Sequence, residues 1–284
     1  MNLNRRSMML GAGGLAALAA SPFAAQAAKA AKSGKIASIG LQLYTVRELF
    51  AADPVATLEK VAKVGYREVE FGGGGYDAMD HKLLRSTMDR LGLTCPSLHI
   101  GYDALLDKFD ASVAMAKTLG AGTVVLPYMV DKYRNAEAWK AALVNINRFG
   151  AQLKAAGLGF AYHNHDFEFT TKPDGVSLFD QLVKACDPDL VKIELDLYWA
   201  IYAGQDPQAL IRSLAGRIYS YHVKDMRADR SMTSVGSGTV DFAAIFKLNA
   251  IAGVQHFYVE NDQAPAPYIP DITKSFQTLR ALRF

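Results

Sequence analysis

The stretch "VKIELDL" (Val191–Leu197) places Lys192, Glu194 and Asp196 at alternate positions, with Ile193, Leu195 and Leu197 between them. Successive side chains of an extended strand point to opposite faces, so one face is wholly apolar and the other carries three charges. A strand of this kind suits a closed barrel. Its greasy face meets a layer of helices, and its polar face looks into the ring, where strand ends gather functional groups.

Reading outward, seven further runs have strand character: 39–45, 67–71, 95–101, 123–129, 159–165, 218–225 and 256–262. Helical patterns lie between them. "DPVATLEKVAKVG" offers Asp53 as N-cap, Pro54 at the first helical position and Gly65 as the stop. "DALLDKFDASVAMAKTLG" reads as one helix ending at Gly120, and "DFAAIFKLNAIAG" as one ending at Gly253. Eight strand–helix alternations predict an α/β fold, a single-domain (β/α)₈ TIM barrel over residues 28–284. A doubly wound open sheet is the alternative. It usually has a Gly-rich phosphate loop after an early strand, and "FGGGGYD" (71–77) lacks that spacing. It reads as a flexible loop.

Residues 1–27 have a different character. Arg5 and Arg6 precede an apolar run rich in Ala and Gly, and Ala25 and Ala27 offer a cleavage site. The pattern predicts a twin-arginine signal peptide, a periplasmic mature protein and no membrane span after cleavage. The full chain carries a formal charge of +3, and loss of the two arginines leaves +1. That charge gives no electrostatic footprint for nucleic acid. Cys95 and Cys186, the two cysteines, do not amount to a disulfide framework.

Chemistry is expected at the C-terminal strand ends. "FAYHNHDFEF" (160–169) crowds His163, Asn164, His165, Asp166 and Glu168 into an apolar run. Alternation turns His163, Asp196, His222 and Glu260 inward on four successive strands, and Glu70, His99 and Lys224 inward beside them. Four such groups at one height predict a bound divalent ion, since unpaired buried charge is costly. Imidazole with carboxylate suits Mn, Co, Fe or Zn, and Mg remains in view.

The order of these motifs resembles the sugar phosphate isomerase/epimerase family, the xylose isomerase-like barrels, over the whole chain after residue 27. The resemblance is carried by "LDLYW" (195–199), "YHVKD" (221–225), "GSGTVDFAAIF" (236–246) and "YVEND" (258–262). It implies one divalent ion held by Glu, Asp, His and Glu from strands five to eight. Asp196, His222 and Glu260 match the last three. At the first place stands His163, with Glu168 as the substitute. A histidine that contacts substrate in many relatives is here Trp199.

The resemblance also implies a small-molecule sugar, keto-sugar or glycoside as substrate, and abstraction of the proton α to its carbonyl. With histidine in place of one of the family's two carboxylate bases, two-base epimerisation gives way to elimination. Glu260 and His165 then handle the proton, Lys224 assists the leaving group, and Glu70, His99, Glu168 and Trp199 line the substrate. Two other classes stay open, an abasic-site endonuclease-like protein and a non-catalytic sugar-binding barrel. Isomerisation against elimination, the metal and the oligomeric state stay open as well.

Overall fold

A computed structural model describes residues 34–284; the expected signal segment, 1–27, lies outside them. Eight parallel strands form one sheet: β1 Gly40–Gln42, β2 Glu68–Glu70, β3 Ser97–His99, β4 Thr123–Leu126, β5 Gly159–His163, β6 Lys192–Asp196, β7 Ile218–Val223 and β8 His256–Val259. Their order is β2-β1-β8-β7-β6-β5-β4-β3. Parallel bridges Glu68–Thr94 and Phe71–Leu98 bring β3 back to β2, so the sheet curls into a nearly closed ring. All eight expected strands are present but shorter, the ladder ending before the last expected residue of each.

The helices follow the local signals. Asp53 caps Pro54–Val64 by accepting from the Ala56 amide at 2.9 Å, and Gly65 ends it at φ 125°. The longest helix, Ala136–Ala155, buries Trp139, Leu143, Ile146, Phe149 and Leu153, spaced three or four apart on one face. Full burial of such side chains stabilises by roughly 1.5–3 kcal/mol each. Both stretches read as single helices are in fact broken. The first divides into Tyr102–Asp107 and Phe109–Leu119, around Lys108 at φ −136°. The second divides into Phe242–Phe246 and Asn249–Ala252.

A short antiparallel pair after β7, Asp225–Met226 with Met232–Thr233, has no counterpart in the sequence reading. It explains "GSG". Asp225 Oδ2 accepts from the Gly236 and Gly238 amides at 2.9 Å each, and its Oδ1 accepts from the Val240 amide at 3.2 Å. A Cβ on Gly238 would lie 2.3 Å from that carboxylate, so the loop can wrap it only with glycine. Asp241 then caps the next helix through the Ala244 amide. Cys95 and Cys186 are both buried and unbridged. Among the described residues no helix is long and apolar enough to cross a membrane.

Candidate active site

The inward polar residues form two tiers. The lower tier lies inside the ring. Glu70 accepts from Gln42 Nε2 at 2.8 Å and from the Ser97 hydroxyl, and it lies 2.7 Å from His222 Nε2 and 3.1 Å from His99 Nε2. Glu194 accepts from the Ser220 hydroxyl at 2.6 Å and lies 2.8 Å from His99 Nε2 and 2.9 Å from His222 Nε2. Burial opposes charge on His99, but Glu70 and Glu194 outweigh it and raise its pKa to about 9. Burial likewise opposes charge on His222, and Glu194 and Glu260 hold it well above the ordinary imidazole range. Burial pushes Glu194 up, yet His222 and the hydrogen bonds from three histidines keep it well below the carboxylate range. Carboxylate and imidazolium thus neutralise each other out of water, the condition for burying either.

The upper tier sits at the strand tips. Lys224 Nζ lies 2.7 Å from Glu260 Oε2, 3.0 Å from Asp196 Oδ2 and 3.0 Å from both Asp262 oxygens. Burial opposes the ammonium, but Asp196, Asp262 and Glu260 raise its pKa far above normal. Glu260 is the converse case: burial raises it, and Lys224 and His222 bring it well below the usual range. Asp262 is pushed up to about 6 by burial, with Lys224 opposing and the Glu260 and Asp196 charges adding to the rise. His222 Nδ1 faces this tier, 2.7 Å from Glu260 Oε2 and 4.0 Å from Asp196 Oδ2, and His163 Nε2 is 3.7 Å from Asp196 Oδ2. Donor atoms of Asp196, His222 and Glu260 therefore converge here, whereas His163 groups more closely with His99, Glu194 and His222 and reaches this tier only through Asp196.

His163 and His165 behave differently from the lower histidines. Burial, then the His222 charge, lowers the His163 pKa. Burial, then His163 and Lys224, lowers that of His165 well below normal, so both rings are neutral. His165 Nδ1 and Trp199 Nε1 are buried without a hydrogen-bond partner. The Trp199 ring centroid lies 5.5 Å from that of His165 and 5.8 Å from Lys224 Nζ, so the indole stands beside base and ammonium alike.

Several expectations need correction. The four expected ligands are not at one height. His163 is in register with Glu194, and Asp196 with His222, whereas His222 is paired with Tyr258, two residues before Glu260. Strands tilt in a barrel, so neighbours alternate in level. Glu194 enters the cluster for that reason; it was visible as an inward residue, but parity alone gives no register. Asn164 does not merely turn away. Its side chain accepts from the Asp196 amide at 3.0 Å and donates to the Asp196 carbonyl at 3.3 Å, continuing the β5–β6 ladder where the backbones diverge.

Glu168 is no stand-in for His163. It lies on a short helix, Phe167–Thr170, fully buried, and accepts from the Tyr162 hydroxyl at 2.7 Å and the His165 amide at 2.7 Å. Tyr162 faces the helices, so Glu168 braces the loop from behind. Burial raises its pKa to about 8 despite both donors. Glu70 is sealed in the lower tier, and neither carboxylate lines the open cavity; nor does Trp199, so of the four expected substrate-lining residues only His99 does. Gln42 and Asp262 were not singled out in the sequence reading, and Asn164 was named there without a partner. Each acts across strands and so shows only in three dimensions.

A cavity of about 440 Å³ opens above the upper tier, lined by His99, His163, His165, Lys224, Glu260 and Asp262. A larger one of about 520 Å³ lies at the opposite mouth, where His256 Nδ1 and Glu68 Oε2 form a single pair at 2.9 Å. The donor cluster, not the volume, marks the first as the site.

The fold and this tip cluster define a known class. The sequence profile of the xylose isomerase-like TIM barrel family matches residues 58–276, and the chain belongs to that family. An inosose dehydratase from Clostridium beijerinckii is 30% identical over 192 residues, 59% of this chain and 63% of the relative. The chain thus matches a little under two thirds of that relative's length. A sugar phosphate isomerase/epimerase from Parabacteroides distasonis has a crystal structure that superposes with a TM-score of 0.73, at 28% identity over 88% of this chain and 94% of that one. The crystal structure of IOLI protein, which holds a zinc atom, superposes with a TM-score of 0.69 at 17% identity over 85% of this chain and 96% of that one.

Proposed function

We propose that the protein is a divalent-metal-dependent lyase that removes the proton α to the carbonyl of a keto-sugar or keto-glycoside and expels the group β to it. The observation that carries this reading is the asymmetry at the tip. His165, neutral and with an unpartnered ring nitrogen, and the protonated Lys224 line the same cavity. A base and an acid of different kinds suit elimination, in which one group takes a proton and another gives one. Epimerisation needs two matched bases, and only Glu260 of the family pair is present. The dehydratase name of the relatives points the same way.

His163, Asp196, His222 and Glu260 would hold the ion. The donor set fits: Asp196 Oδ2 is buried without a hydrogen bond, because Lys224 is near it but poorly aligned. Donors sharing a tetrahedral ion through bonds of roughly 2.0–2.2 Å stand about 3.3–3.6 Å apart, so these atoms, at 3.7 and 4.0 Å, would draw together by a few tenths of an ångström around it. The 2.7 Å His222–Glu260 contact is a hydrogen bond that the ion would replace. Asp262 holds Lys224 with both oxygens, so the ammonium keeps a partner when Asp196 and Glu260 turn to the metal. Once bound, the ion's chemistry is to draw negative charge onto the sugar's carbonyl oxygen. His165 takes the α-proton with Glu260 beside it, Lys224 gives a proton to the departing oxygen, and Trp199 holds both in place from the side.

Incubation of the metal-loaded protein with 3-keto-glycosides and simple ketoses in deuterated water, followed by NMR, tests the reaction. An unsaturated product that has lost its β-substituent is expected. Clean interconversion of epimers with the substituent retained would overturn elimination. We also propose that residues 1–27 direct export by the twin-arginine route, supported by Arg5, Arg6 and the Ala25/Ala27 pair. Periplasmic material should then begin at Ala28 on N-terminal sequencing, and an intact Met1 there would refute it.

A further inference from the structure

We propose that Tyr44 and Tyr128, at the rim of the same cavity, form a second subsite that takes a ring joined to the keto-sugar through its glycosidic bond. The inference rests on the keto-sugar reading and deepens it, from sugars in general to ringed glycosides.

The other aromatic side chains of residues 34–284 are buried or half-buried. Among the described residues only Tyr44 and Tyr128 are exposed aromatics, at 39% and 43%, and both line this one cavity. Single exposed apolar residues need no explanation, but two rings on one mouth do. Neither is loose. The Arg47 guanidinium lies 4.2 Å from the Tyr44 ring centroid, and its Nη1 donates to the Tyr44 carbonyl at 2.9 Å. The Arg134 guanidinium lies 4.8 Å from the Tyr128 centroid, and Nε of that arginine donates to the Met129 carbonyl at 2.7 Å. Tyr128 also meets His165 edge to face at 5.1 Å, which ties the rim to the proposed base. Rings already fixed lose little freedom when a ligand settles on them.

The glycine run fits the same purpose. Gly73 sits at φ +70°, and a Cβ there would lie 2.6 Å from the Tyr44 ring. "FGGGGYD" is thus the floor on which Tyr44 rests. Neither tyrosine hydroxyl has a hydrogen-bond partner among the described residues, which leaves both to a ligand's polar edge. A ring with an apolar face and a polar rim matches this arrangement, whether a pyranose or an aryl group. The cavity runs unbroken from Lys224 and Glu260 to these tyrosines, so one ligand can span both.

Calorimetry on the metal-loaded chain with three unoxidised probes decides the matter: methyl glucoside, cellobiose and phenyl glucoside. At least one ringed probe should bind more tightly than the methyl glycoside. Tyr128→Ala and Tyr44→Ala should each cut that preference by roughly 3- to 10-fold, the worth of one aromatic contact, and Tyr→Phe at either place should largely keep it. A gain for cellobiose alone identifies a sugar subsite, and a gain for phenyl glucoside alone an aryl one. Equal affinities for all three probes, or a preference that survives both alanine variants, would overturn the subsite. The 3-keto forms of the same probes separate this from the reaction. Turnover without ring preference removes the subsite alone. Tyrosine-dependent binding without turnover removes the lyase reading alone.

Discussion

The two tiers of the barrel are built from the same residue types and differ in how they are satisfied. In the lower tier, Glu70 meets a serine hydroxyl and two imidazoles, and Glu194 a serine hydroxyl and the same two, with the unpartnered His163 Nδ1 a further 3.3 Å away as its one loose end. In the upper tier, Asp196 Oδ2, His165 Nδ1 and Trp199 Nε1 are buried without a hydrogen bond. Buried polar atoms are almost always paired, and the exceptions call for a reason. A closed network is a scaffold; an open one is prepared for a guest. The upper tier can therefore be tuned to an ion and a substrate because the lower tier has already settled its charges.

The hinge between tiers is His222, with Nε2 facing down and Nδ1 facing up. His222→Ala should have the largest effect. It leaves Glu70, Glu194 and Glu260 short of a counter-charge and should cost about 3–5 kcal/mol in denaturant unfolding, as for a broken buried pair. A loss below 1 kcal/mol would mean that the tiers are not coupled through this ring. His165→Ala acts on the upper tier alone. Turnover should fall by about 10²–10⁴ with metal content intact. If α-hydrogen exchange persists while product formation stops, His165 serves the leaving group and not the α-carbon.

Trp199→Ala should weaken sugar binding by about 0.5–1.5 kcal/mol, read from KM or calorimetry. Unaltered constants would mean that the indole does not hold His165 and Lys224 for the substrate. A separate, pH-dependent effect concerns Glu168, which belongs to neither tier. Its folded pKa, about 8, stands above an ordinary value of 4.5. The folded state therefore holds the extra proton, and the associated stability is present below the ordinary pKa and lost as pH rises through about 8. The stability of the wild type relative to Glu168→Gln should decline between pH 5 and pH 9. A flat difference would mean that Glu168 is ionised throughout.

The fold and the inward parity of most site residues were legible in the sequence, through local rules, but the division into two tiers was not. Alternation in "VKIELDL" gave the inward faces, and Asp53, Pro54 and Gly65 marked a whole helix. What stayed hidden depends on register and on contacts between distant segments. Glu194 joins His163 only because tilt sets β6 against β5 at that level. Asn164, one position on from the inward His163, alternates to the other face, yet its amide completes a ladder. Glu168 sits among candidate ligands in sequence but folds back onto Tyr162. The two helix breaks, at Lys108 and between Phe246 and Asn249, carry no proline and no capping signal of the kind that marked Asp53.

The account turns on the claim that the upper tier holds the ion and the lower tier does not. Titrating the metal-free chain with Mn²⁺ or Zn²⁺, and counting bound ions by elemental analysis, tests this in three proteins: wild type, Asp196→Asn and Ser220→Ala. Asp196→Asn removes one upper-tier donor, and Ser220→Ala removes a support of Glu194 only. One ion per chain is expected in the wild type and in Ser220→Ala, with near-complete loss in Asp196→Asn. Full occupancy in Asp196→Asn, with loss in Ser220→Ala, would place the ion among His99, His163, Glu194 and His222 and contradict the account.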